Sequence, residues 1–137
     1  MESETVQEGE RWMALRGLKF EYNVDTLKID ACRLILLEVK ENQYFLNVKK
    51  GREVSRIEIT KKVDEFCQRL QAMNIEKWDQ KIFDWPMEYF LGYHWKLEVT
   101  GEGINAVCRG SDNLPNDWGA FRNALNFLGI KDSRFPF

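Results

Sequence analysis

From Gly17 the chain alternates. Leu18, Phe20, Tyr22 and Val24 are separated by Lys19, Glu21 and Asn23, a period of two that lines one face of a strand with apolar side chains. Asp25-Thr26 predicts a turn, after which Leu27, Ile29 and Ala31 resume the alternation. Arg33 then breaks it, and Leu34 to Leu37 are all apolar, which predicts a bulge or a strand buried on both faces. Glu41-Asn42 and Lys49-Lys50-Gly51 read as turns around a strand carrying Tyr44, Leu46 and Val48, and Val54, Ile57 and Ile59 mark a fourth strand. Strands joined this closely form an antiparallel meander, here over residues 10–59.

At Thr60 the period changes. Val63, Phe66, Cys67, Leu70 and Met73 follow helical spacing, predicting a helix over 60–74 with Thr60 as its N-cap and Asp64 and Glu65 at the positive end of its dipole. Residues 75–110 predict a loop, with one helical turn near Trp78 and a stop before Pro86, and then a hairpin. Its first strand has an apolar residue at every odd position from Met87 to Val99, and Gly101-Glu102-Gly103 turns it into Ile104, Ala106 and Cys108. Trp118, Phe121, Leu125 and Leu128 stripe a last helix over 115–129, ended by Gly129. The order β-β-β-β-α-β-β-α predicts an α+β domain, with an antiparallel sheet and two helices packed on it.

Composition narrows the function. At 137 residues with 44% hydrophobic content, one domain over 10–137 can bury its own core. Residues 1–9 carry Glu2, Glu4 and Glu8 around a lone Val6 and are expected to be a disordered acidic leader. A net charge of −2 is too balanced for a general nucleic-acid coat. Apolar runs, of which Leu34–Leu37 is one, reach four residues at most, far too short to span a membrane, and the acidic start is unlike a secretion signal, so the cytoplasm is the expected compartment. Cys32, Cys67 and Cys108 are widely spaced among apolar neighbours and read as small hydrophobes, with no metal-ligand spacing and no cofactor motif beside them.

The stretch Arg109-Gly-Ser-Asp-Asn-Leu-Pro-Asn-Asp-Trp118 is the most polar connection in the chain. Gly110 permits a sharp exit from the strand, Asn113 can satisfy exposed amides, Pro115 suits a first helical turn, and Trp118 seats the helix. An anion site at that helix start would have to accommodate Asp112 and Asp117. Residues 63–129 also carry a pattern: Phe66 and Leu70, then Trp78, then Trp95, Leu97 and Val99, then Gly110, Ser111, Asn113, Pro115, Trp118 and Phe121. The pattern resembles small uncharacterised bacterial domains with a W-x-L-x-[IV] strand, a hairpin and a G-S-x-N-x-x-P-x-x-[WF] helix entry. Those domains often place Asp-Gly before the strand tryptophan, where this chain has Gly92-Tyr93-His94. The resemblance implies a fold and attaches no activity.

Two features point outward. Between Lys40 and Lys62 the bases outnumber the acids, and Lys49, Lys50 and Arg52 are expected to cluster at a hairpin tip, with Arg56 close behind. Five tryptophans and nine phenylalanines exceed what a small two-layer core readily hides, so Trp12, Trp78, Trp85 and Phe90 are candidates for exposure. His94 lies on the more polar face of its strand, and the RFPF ending at Phe137 is expected to dock on the body or on a partner. The leading expectation is a non-catalytic domain that binds and inhibits or regulates another protein, as an immunity protein or a phage anti-defence inhibitor does. Nucleic-acid binding through the basic 40–62 hairpins ranks second, and a small enzyme centred on His94 or Cys108 third.

Overall fold

The computed structural model describes residues 15–24, 33–84 and 93–130. The leader, Trp12, the Asp25-Thr26 turn with Leu27, Ile29 and Ala31, Cys32, Trp85, Pro86, the strand positions from Met87 to Leu91 including Phe90, and the RFPF end lie outside the described residues.

The fold is α+β in the expected order. Four strands, β1 (Gly17–Val24), β2 (Arg33–Lys40), β3 (Gln43–Lys50) and β4 (Glu53–Glu58), precede helix α1 (Val63–Ala72). After a 3₁₀ turn at Ile75–Trp78 come β5 (Ile82–Asp84), β6 (Tyr93–Gly101), β7 (Ile104–Ser111) and helix α2 (Trp118–Phe127). All seven strands join one sheet in the order β4-β3-β2-β1-β6-β7-β5. The meander and the later hairpin are stitched together by β1 and β6, antiparallel from Gly17 opposite Thr100 to Val24 opposite Tyr93. Strand β5 was not expected; its three residues pair in parallel with Arg109, Gly110 and Ser111.

Burial explains the alternation. Leu18, Phe20 and Tyr22 of β1, Ile35 of β2, Tyr44, Leu46 and Val48 of β3, Trp95, Leu97 and Val99 of β6, and Ile104, Ala106 and Cys108 of β7 share one covered face. Val63, Phe66, Cys67 and Leu70 of α1 join the same core, and α1 packs beside α2. Because both helices lie on that side, the expectation for Leu34–Leu37 is corrected. Ile35 is buried, but Leu36 is 42% exposed, and the register with β3 runs unbroken from Arg33 to Lys40 without a bulge. Arg33 keeps the inward phase and is buried.

The aromatic surplus is largely core. Trp118 lies 5.2 Å from Trp95, 5.1 Å from Phe121 and 5.5 Å from Phe20, ring centre to ring centre. Trp78, expected as a surface candidate, is 3% exposed and stacks on Trp118 at 5.9 Å. The 3₁₀ turn aims it inward, closing the core between α2 and the sheet.

Thr60 is not an N-cap. Its hydroxyl accepts the Tyr44 N–H at 2.9 Å and donates to Glu58 at 2.9 Å, so it ties the chain back to β3 while a 3₁₀ turn at Thr60–Lys62 leads into α1. Gly129 ends α2 with φ +100°, as its sequence position predicts.

Candidate functional site

The sheet has a second face that no described element covers, and its residues fall into rows set by the strand register. One row runs Val54, Lys49, Leu34, Glu21, Lys96, Arg109, Ile82 across all seven strands. The next runs Arg56, Asn47, Leu36, Lys19, Glu98, Val107. Among the described residues, the large hydrophobics left exposed are Leu36, Val39, Val54, Ile82 and Val107. All but Val39 point to this face. Antiparallel sheets commonly leave one face solvated, but then as a polar surface. Here aliphatic side chains are spaced across it.

The charges on the face differ in how they are held. Lys19 pairs with Glu21 at 3.1 Å, and the Glu21 carboxylate holds the Lys19 ammonium above its ordinary pKa. Arg56 pairs with Glu38 at 3.3 Å and lies 3.7 Å over the Phe45 ring, while the Asn47 amide helps hold the Glu38 carboxyl below its usual range. Lys81, Lys96 and Arg109 make no ion pair among the described residues. They border a depression of about 400 Å³ whose lining also includes Lys19, Glu21, Glu98, Ile82 and Val107. A smaller depression of about 230 Å³, bordered by Glu21, Asn23, Leu34 and Lys49, lies across β1 from it.

The residues expected at the hairpin tip do not share one face of the sheet. Lys49 and Arg56 project onto the uncovered face, Lys50 is half-buried on the other side opposite Arg33, and Arg52 stands exposed in the turn. The alternation that orders the strand divides the cluster. Trp85 and Phe90 lie outside the described residues, and Trp78 belongs to the core.

His94 and Cys108 are on opposite faces, because Cys108 pairs with inward Leu97 whereas His94 pairs with Ser111. The His94 Nδ1 lies 2.9 Å from the Ser111 hydroxyl. Burial, reinforced by the charge of Asp79, pushes the Cys108 thiol up to about 12, and burial with Asp64 nearby pushes Cys67 up to about 11. Both thiols are therefore protonated at neutral pH, the reverse of an activated nucleophile.

The polar 109–118 connection is occupied by local work. A Cβ on Gly110 would meet Trp95 Nε1 at 2.5 Å and the Phe83 carbonyl at 2.6 Å, so glycine is what lets the Trp95 ring lie across β7. The Trp95 indole N–H donates to the Asn113 carbonyl at 2.7 Å, and Asn113 Oδ1 accepts the Leu114 N–H. Asp112, at φ +57°, accepts the Tyr93 N–H through Oδ1 at 3.1 Å and returns its own N–H to the Tyr93 carbonyl. The Pro115 carbonyl accepts the Trp118 N–H ahead of α2, and Asp117 pairs with Lys77.

Lys81, Lys96, Arg109, Ile82 and Val107 escape a reading of the sequence by segments. The hairpin could have revealed one pair: pairing Gly101 with Ile104 fixes Lys96 opposite Arg109. The remainder depends on β5 and on the β1–β6 ladder, which join distant parts of the chain. No protein-family model matches the chain, and no curated protein or solved structure matches it.

Proposed function

We propose that this chain is a recognition domain that binds another protein through the uncovered face of its sheet and so inhibits or regulates it, in the manner of an immunity protein or an anti-defence inhibitor. The observation that carries the reading is the exposure there of Leu36, Val54, Ile82 and Val107, spread across the sheet among charged residues. Size supports it. Seven strands of three to nine residues, at ~4.8 Å spacing and ~3.3 Å rise per residue, give a face of roughly 800 Å². A standard protein interface takes about 800 Å² from each partner. Aliphatic side chains framed by charge are also a better match to a protein surface than to a phosphate backbone, whose recognition calls for cations without interspersed Glu21 and Glu98.

The test is cross-linked capture from the host, quantified by mass spectrometry. Leu36→Asp with Val54→Asp, and separately Val107→Lys, should remove the captured partner. Gln68→Arg and Asn123→Arg, on exposed sides of the helices, should leave it in place. Capture lost only in the helix variants would overturn the reading. Capture that falls steeply with salt and disappears on nuclease treatment would move it to nucleic acid.

A further inference from the structure

The depression at the β5 end of the uncovered face has a charge arrangement that the fold does not require. Lys96 and Arg109 stand directly opposite each other on neighbouring strands, and like charges at such positions destabilise a sheet. Lys81 borders the same depression, and none of the three has an ion pair among the described residues. Lys19 is already engaged by Glu21. Between these cations Ile82 is 56% exposed and Val107 is 40% exposed, aliphatic surface that water does not favour.

We infer that this depression receives an extended acidic segment of the partner protein, with an aliphatic side chain resting on Ile82 and Val107 and flanking carboxylates reaching Lys81, Lys96 and Arg109. The inference rests on the reading of the uncovered face as a protein-binding surface and specifies what one end of it takes. Charge complementarity selects the occupant. Cations without an ion pair among the described residues call for anions, the apolar floor calls for aliphatic groups, and Glu21 and Glu98 on the border disfavour a continuous phosphate chain. A strand-like segment suits the site because its alternate side chains share a face at ~7 Å intervals. That distance matches the separation of Val107 from Arg109 along β7.

The experiment uses the full chain and a short fluorescent peptide alternating Glu and Leu, with anisotropy for affinity and amide shifts for location. Binding should be saturable, should move the amides of Lys96, Val107 and Arg109, and should weaken about tenfold or more when Lys96→Glu and Arg109→Glu are combined. The neutral pair Lys96→Gln and Arg109→Gln should give an intermediate loss, and replacing Glu by Gln in the peptide should reproduce it. Absence of binding, equal binding of the Gln peptide, or displacement by oligothymidylate at lower concentration than by the acidic peptide would overturn the inference. Partner capture separates the two claims. Capture kept by the Lys96/Arg109 reversal but lost in Leu36→Asp with Val54→Asp removes the acidic segment and leaves the face, whereas capture indifferent to both removes the face itself.

Discussion

Gly110 shows how one side chain's absence positions others. The Trp95 ring passes over it, and the same ring donates its N–H to Asn113 and packs on Trp118. Gly110→Ala would push a methyl into the indole and the Phe83 carbonyl, and overpacking of this kind costs about 1–3 kcal/mol. The expected outcome is a lower denaturant midpoint with an unchanged slope. The two buried thiols make a pH prediction. Cys67 and Cys108 titrate near 9.0 when exposed, but at about 11 and about 12 in the folded chain. The folded state therefore holds these protons more tightly than the unfolded state does. Their contribution is complete below pH 9.0 and declines as pH rises through the folded values. Replacing both with alanine should lower overall stability through lost packing and make the alkaline decline shallower, as followed by denaturant titrations at successive pH values.

Single strands carry two roles at once. In β6, Leu97 is fully buried against the helices while Glu98 faces the open side. Leu97→Ala should cost about 2–5 kcal/mol, whereas Glu98→Ala should change stability by no more than about 0.5 kcal/mol; equilibrium unfolding of the two variants checks both. This division was legible in the sequence wherever the alternation was long, as at Leu18 to Asn23 and at the odd positions of β6. The helical stripes at Phe66–Leu70 and Trp118–Leu125 were legible for the same reason. Periodicity states which residues share a face and says nothing about what lies over it. Leu34–Leu37 thus fits two-sided burial by pattern alone, whereas both helices pack on one side of the sheet. Trp78 was similarly ambiguous, since a lone aromatic in a short turn has no period to give its direction. Strand β5 is too short to alternate at all, and its pairing with β7 is imposed by tertiary structure. The candidate site inherits this difficulty: His94 could be placed on the polar side of its strand, but the company it keeps depends on register between distant segments.

Across the whole molecule, stability should fall from the middle of the sheet to its margins. β1 and β6 each have a bonded neighbour on both sides, whereas β4 and β5 form the ends of the strand order. Native-state hydrogen exchange is expected to be slowest for amides near Phe20 and Leu97 and faster by orders of magnitude in Glu53–Glu58 and Ile82–Asp84. Equal protection across the sheet would contradict the topology. The placement of β1 also has a consequence during vectorial synthesis. Its second neighbour is encoded 69 positions after its last residue, between Val24 and Tyr93, an interval of about 3–14 s at the usual ~5–20 residues per second. Throughout that interval the nascent meander displays a bare central strand with Phe20 awaiting its cover, so a chaperone arriving co-translationally would find its target at β1, the strand that the finished protein protects best.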